Sequence, residues 1–529
     1  MDEQLYNLPF PFAGIDSSAG LMRQPTRPRE GGGRPRATTP SGQNVRAFDP
    51  LTGRERGGSR PGLTKWISAA VVADWIIQEL NAVGVRDDTV PNLSGRAIQM
   101  IAVSQGNVYV AQSGDLTWGS PSNLTGNTPP LIYTGVLFSA ENNQKLYFAD
   151  GTNWVYLDPK LNTVNTWTAT AGTLPVDSEN NTPRLICTWR GRTVLAGLKN
   201  DRQNWFMSRI NDPHDWDYFP NESSAAQAVA GNNAPQGLIG DMITTLIPYS
   251  DDILLIGGDH TIWMLRGDPA AGGQIDRVSD SIGMAWGIPW CKDPYGVVYF
   301  FSNRCGIYSL VPGEAPRRVS QGIEQLVQEI DTGTNSIRMI WDDRWQGLHV
   351  FVTRLDQPRA TTHYFWEQRT GAWWTDVFAN NNHNPLCCAV FDGDDPNDRA
   401  ALIGSWDGYV RKLDADADDD DGTAISSAVV LGPVLTLNLD DMLLKDLQTV
   451  LAEDSGNVTY AVHVGAHPEA ALAATAAATG TWSEGRNLLS HVRRAGYAVY
   501  VKITATGQWA MESIRMRFAG RNKVRQRGR

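Results

Sequence analysis

The residues that invite a chemical reading first are the carboxylates. The run DADADDDDG begins at Asp414 and sets six aspartates within eight positions, which invites a calcium reading. An EF-hand loop needs glycine at its sixth position for the sharp turn and a carboxylate at its twelfth. Here those positions are Asp419 and Ile425, so the pattern fails and the run is expected to be a solvated loop of mutually repelling charges. Glycoside hydrolysis would need two convergent carboxyl groups. The candidates Asp115, Asp251, Asp252, Asp342 and Asp343 all sit in turn-like contexts, where aspartate is favoured because it bonds its own backbone. The stretch from Ser113 through Asp115 to Trp118 lacks the glycine and spacing of a sialidase-type Ser-x-Asp-x-Gly-x-x-Trp box. His463 and His467 stand four apart, but Gly465 and Pro468 argue against a helix presenting both to a metal. Neither a GxSxG nucleophile elbow nor a phosphate-cradling GxxxxGK[ST] loop occurs. The sequence therefore predicts a protein that is not an enzyme and carries no cofactor or metal.

The five cysteines, Cys187, Cys291, Cys305, Cys387 and Cys388, show no metal-ligand spacing. The neighbours Cys387 and Cys388 point to opposite faces of any strand that carries them, so all five are expected to be reduced core residues. The acidic start MDEQLYNLPFPFAG is not expected to be a signal peptide, and no apolar stretch of membrane-spanning length is present.

A chain of 529 residues with 51 Gly, 29 Pro and 19 Trp implies several domains made of short strands between tight turns. The net charge of −11 is unevenly placed. From Arg23 to Lys65 ten basic residues face three acidic ones, and from Arg515 to Arg529 there are seven basic residues and no acidic one. An acidic body with two basic ends is the result, and the ends are candidates for docking on partners.

Residues 1–63 are rich in Gly, Pro and Arg, as in RQPTRPREGGGRPRATTPSG, and read as an extended basic arm ordered only on a partner. Over 64–94 a linker is expected to contain a helix, with Ile67, Val71, Val72, Trp75, Ile76, Leu80 and Val83 on one stripe and Asp74, Gln78 and Asn81 opposite. From 95 to 433 a repeat dominates. Each unit has an apolar strand, a turn of Gly, Asp or Asn, and a strand carrying an aromatic marker: Tyr109, Trp154, Trp205, Trp263, Tyr308, Trp366 and Tyr409. Spacings of roughly 43 to 58 residues fit propeller blades. The expectation is a mainly β protein: a β-propeller of six or seven blades, then an antiparallel β-sandwich over 434–529 that ends in a basic tail. Within the sandwich, HPEAALAATAAATGTW reads as a loop or short helix.

At Gly57-Gly58-Ser59-Arg60-Pro61-Gly62 the chain resembles the nozzle proteins of short-tailed bacteriophages, also called tail tubular or packaged-DNA stabilisation proteins. The segments RLICTWRGRTVLAG (184–197), SRINDPHDWDYFP (208–220), DDILLIGGDHTIWMLRGDP (251–269) and FAGRNKVR (518–525) extend the resemblance over nearly the whole chain. The resemblance implies a virion tail subunit that forms a homohexameric ring below the portal and adaptor proteins and meets tail fibre or needle proteins. It also implies a channel that retains packaged double-stranded DNA and passes it at ejection. An acidic body suits such a wall, because a basic lumen would hold DNA through counterion release. On this reading the assembly contacts fall to Arg54, Arg56 and Arg60 in the arm and to Arg521, Lys523, Arg525, Arg527 and Arg529 in the tail. The alternative reading is a carbohydrate-binding or receptor-binding tail propeller, with some of the tryptophans stacking on sugars.

Overall fold

The computed structural model describes residues 3–26, 36–86, 96–122, 130–222, 224–304, 306–393, 395, 398–435 and 441–520. Seven blades follow one another around a ring. Blade 1 comprises Ile77–Arg86, Arg96–Ser104 and Asn107–Ala111, and a bridge from Val110 to Gly119 marks its outer edge. Blades 2 to 5 span 138–166, 185–230, 243–279 and 290–318, each a four-stranded antiparallel sheet. Blade 6 is Asn335–Asp342, Gly347–Arg354, His363–Glu367 and Ala372–Asp376. Blade 7 takes Cys387–Phe391, Ala400–Gly404 and Val410–Asp414 from its own stretch, and its fourth strand, Gly62–Lys65, from the beginning of the chain. The ring closes where the inner strand of blade 7 packs on that of blade 1.

The seven aromatic markers lie one per blade. Six are on the third strand, and Tyr409 immediately precedes the third strand of blade 7. Their regularity follows from packing. The third strand lies away from the axis, where the gap between blades widens and only large side chains fill it.

The stretch expected to be helical is not. Residues 66–76 form turns, and Ile77–Arg86 is the inner strand of blade 1, paired along its length with Arg96–Ser104. The supposed polar face is satisfied inside: the Gln78 amide donates to the carbonyls of Ile132 and Gly135, and its oxygen accepts from the Gly106 N–H. A strand covered on both faces shows no period of two, and its apolar and bonded polar residues imitate a helical stripe.

Two sheets form the sandwich. One runs outward from blade 6: Ala372–Asp376 pairs with Gly42–Gln43, which pairs with Ser426–Leu435, followed by Ala498–Thr506, Val458–Gly465 and Ala478–Trp482. The other has the order Glu3–Asn7, Met511–Gly520, Met442–Leu451, Gly485–Gly496. The sandwich thus begins at Ser426 and shares one core with blade 6, in which Trp341, Phe365 and Trp374 are continuous with Val458, Trp482 and Trp509. The Ala-rich loop contains a short helix, Pro468–Ala473, capped by His467. No helix among the described residues is long and apolar enough to cross a membrane.

The expected partner-ordered arm is also corrected over its described residues. Residues 3–26 and 36–63 are built into the body, where Leu8, Phe10, Ile15, Val45 and Leu63 are buried. Two of its glycines serve close approach. At Gly57, with φ of 82°, a Cβ would strike the Phe10 ring, and at Gly62 it would collide with the Asp419 carbonyl.

Candidate functional site

Arginine is the side chain that couples these units. The Arg60 guanidinium grips Asp420 with two hydrogen bonds, 2.8 and 2.6 Å, and its Nε donates to Asn44 Oδ1 at 3.0 Å. Asn44 in turn donates to the carbonyls of Val377, just past blade 6, and Ser426, the first residue of the sandwich strand. Asp420 also accepts the Ala379 N–H. One residue away in the same segment, Val45 precedes Arg46, which holds Asp376 at 2.8 and 2.6 Å under the Phe365 ring. Burial pushes the Asp376 carboxyl up, but the Arg46 guanidinium more than reverses this, so it stays below the usual carboxylate range.

These pairings correct two expectations. The acidic run is a solvated loop only in part: Asp416 and Asp418 are exposed, but Asp414 and Asp420 are buried, and Asp421 accepts from Arg411 at 2.8 Å. Arg60 and Lys65 from the N-terminal segment, with Arg411 and Lys412 from blade 7, offset part of the run's charge, which a count of charges along the chain does not reveal. No group of three or more potential metal ligands converges among the described residues. The predicted docking arginines divide in the same way. Arg60 is buried, Arg56 is held by Asp49 and Glu512, and only Arg54 of the three is exposed. Arg60 and Arg56 are therefore internal clamps. Arg521, Lys523, Arg525, Arg527 and Arg529 fall outside the described residues.

Arg46, Arg60, Asp342, His349 and Asp376 surround a cavity of about 20 Å³. That composition resembles a catalytic centre, but the space admits about one water molecule and no substrate. The other carboxylates noted in the sequence are scattered over blades 1, 4 and 6. Asp115 and Asp342 accept backbone N–H groups of their own turns, Asp252 faces Arg190, and Asp343 pairs with Arg399. Asp251 contributes its carbonyl to Arg190. His463 bonds the Ala474 carbonyl while His467 caps the short helix, so the two histidines do separate local work. Cys187, Cys291 and Cys387 are buried free thiols and Cys388 is half-buried. Cys387 reaches Ile77 and Cys388 reaches Met339, on opposite faces of their strand. Cys305 lies outside the described residues.

A wider cleft of about 350 Å³ lies between Arg36, Asp16, Arg318, Gln368 and Trp366. Its cations are engaged: Arg36 with Glu55, and Arg318 with Glu324 and the Tyr308 hydroxyl. Trp373 beneath it is buried, its indole donating to the Val319 carbonyl. Ten of the nineteen tryptophans are buried and only Trp75 and Trp286 expose more than about a third of their surface, so few offer a face for stacking on a sugar.

Sequence reasoning missed how three of the resembling segments meet. Arg192, from 184–197, is buried between blades 3 and 4. It holds Asp268, from 251–269, through two bonds of 3.1 and 3.0 Å, and also donates to the carbonyls of Ser208, Gln227 and Ala225. In 208–220 the Pro213 carbonyl accepts from both the Trp167 and Trp216 indoles at 2.9 Å. The signal was present as Arg-Gly-Arg and Arg-Gly-Asp-Pro at blade turns, but pairing them requires knowing which blades adjoin.

Along the propeller axis, Glu79 on the inner strand of blade 1 meets Arg338 on that of blade 6 at 3.2 Å, while Arg338 also reaches the Leu386 carbonyl and the Phe138 ring of blade 2. Burial lifts the Glu79 carboxyl to about 7, outweighing Arg338. There the inner strands of blades 1, 2 and 6 meet through these side chains.

His363, buried in blade 6, accepts the Val352 N–H on Nδ1 and faces Asn384 Oδ1 with Nε2, so the ring is neutral with its proton on Nε2. Burial lowers its pKa from 6.5 to about 4, against the pull of Asn384. A depressed histidine stabilises the fold above pH 6.5 and loses that contribution as pH falls through 4, here about 3 kcal/mol. Urea unfolding between pH 7 and 4 should show His363→Gln losing less stability over this window than the parent. Equal losses would assign the acid sensitivity to other groups.

The fold defines a class: a seven-bladed β-propeller joined through one shared sheet to a β-sandwich. No family model matches the chain, and no curated protein does. Among solved structures, it is similar to an extracellular domain assigned to the hybrid two component system BT4673 of B. thetaiotaomicron, with 10% identity and a TM-score of 0.40 over 73% of this chain. The chain spans 43% of that domain's length. It is also similar to YCF48 from Cyanidioschyzon merolae, with 11% identity and a TM-score of 0.38 over 65% of this chain and 97% of that one. The N-terminal domain of Nup159 shows 8% identity and a TM-score of 0.38 over 67% and 95% of the two chains.

Proposed function

We propose that this chain is a structural subunit of a bacteriophage tail nozzle, arranged as a ring of six that extends the portal channel, retains packaged DNA and passes it at ejection. The observation that carries the reading is the resemblance of the segments at 57–62, 184–197, 208–220, 251–269 and 518–525. The first four supply blade-to-blade and propeller-to-sandwich clamps such as Arg192–Asp268 and Arg60–Asp420. A scaffold under the pressure of packaged DNA needs such cross-links and needs no turnover. With Glu79 and Arg338 meeting across the inner strands of the propeller, the DNA path is assigned to the space between copies, along walls that are acidic on balance and hold the polyanion weakly. Portal and adaptor proteins above, and fibre or needle proteins below, are the partners of such a ring.

Cryo-electron microscopy of particles carrying the chain tests this: a ring on the portal–tail axis is expected, and a single copy on a fibre or off the axis would overturn it. A glycan assay separates the receptor-binding alternative. Purified protein should not turn over surface polysaccharide, and turnover abolished by changing one propeller carboxylate would refute the structural reading.

A further inference from the structure

Among the described residues, the second sandwich sheet ends in two edge strands, each paired on one side alone. One is Gly485–Gly496, twelve residues long, which pairs only with Met442–Leu451 among the described residues. The other is Glu3–Asn7, which among the described residues pairs only with Met511–Gly520. Folded proteins normally shorten, bend away or cover such edges, because their free N–H and C=O groups recruit further strands. The long edge is interrupted by bulges at 488–489 and 492–493 and still carries Leu488 and Leu489, 55% and 60% exposed, at the first of them. The short edge carries Leu5, 55% exposed, beside the partly exposed Tyr6.

We propose that copies of this chain join head to tail through these edges, the Gly485–Gly496 strand of one copy pairing with the Glu3–Asn7 strand of the next. This names the contact within the ring proposed above and rests on that reading. Charge selects the partner. Arg486, His491, Arg493 and Arg494 are exposed on the long edge, which has no acidic residue. Pairing two long edges would set arginine against arginine, whereas Glu3–Asn7 holds one acidic residue in its sequence and no basic one. Direction agrees as well. Strands alternate across the sheet, so its two edges run in opposite senses, and a neighbour that continues the sheet presents Glu3–Asn7 antiparallel to Gly485–Gly496. A contact between two different surface patches propagates from copy to copy and closes into a ring when the rotation allows.

The test uses the full chain and two variants, Leu488→Lys/Leu489→Lys on one edge and Leu5→Lys/Tyr6→Lys on the other, followed by sedimentation velocity and native mass spectrometry. Wild type is expected to form the ring, and each variant alone to fall to monomer with an unchanged melting transition. Mixed in equal amounts, the two variants should form a one-to-one dimer, because one intact edge of each kind remains. A short bis-maleimide should also join Leu5→Cys of one copy to Leu489→Cys of another. A ring that persists in both variants would overturn this contact and leave the ring itself standing. Dimers of the Leu5→Lys/Tyr6→Lys variant alone would replace it with a symmetric pairing of long edges. Density off the tail axis in particles would sink the nozzle reading while the mixed dimer survived, and a wild type monomeric at every concentration would overturn the contact.

Discussion

Removing residues 1–65 should unfold the propeller and the sandwich together. The deleted segment supplies the fourth strand of blade 7, the Gly42–Gln43 link that joins blade 6 to the sandwich, and the Glu3–Asn7 edge. It also takes Leu8, Phe10, Ile15, Val45 and Leu63 out of the core. Burying an apolar side chain of this size is worth about 1.5–3 kcal/mol, so five amount to on the order of 10 kcal/mol. A domain's whole stability is only about 5–15 kcal/mol. The truncated chain should lose its cooperative thermal transition and become open to protease throughout, blade 7 and the sandwich included. A truncation that melts cooperatively at the wild-type temperature would show that the segment is a dispensable arm.

Arg60→Ala should cost about 3–5 kcal/mol in urea unfolding, the range for stripping one partner from a buried ion pair. The cost arises because Asp420 is left buried and charged without its counterion. Asp420→Ala should cost a similar amount. The double variant Arg60→Met/Asp420→Leu should recover much of the loss, since it buries no charge, though the Ala379 N–H still lacks its acceptor. A loss under about 1 kcal/mol for Arg60→Ala would mean that the pair behaves as a surface one.

The repeat was legible in the sequence because it is local. A strand, a tight turn and an aromatic at a set position are fixed by neighbours in the chain, and Tyr109, Trp154, Trp205, Trp263, Tyr308, Trp366 and Tyr409 mark seven blades in the structure as they do in the sequence. The absence of spaced motifs such as an EF-hand loop was legible for the same reason. Two kinds of feature were not. Ile77–Arg86 looks helical because a strand buried on both faces has no alternation to display. Residues 1–63 look unstructured because their apolar residues are too few to form a core alone.

What the sequence determined by itself was the β class, the blade count to within one, and the positions of the anchoring aromatics, since each depends on contacts a few residues apart. What only the tertiary structure decided was which distant charges meet. Arg60 and Asp420 are 360 positions apart and Arg46 and Asp376 are 330, and each residue read alone is a solvated surface charge. Circular closure of the propeller brings them together, and burial then turns a basic arm and an acidic run into the clamp between propeller and sandwich.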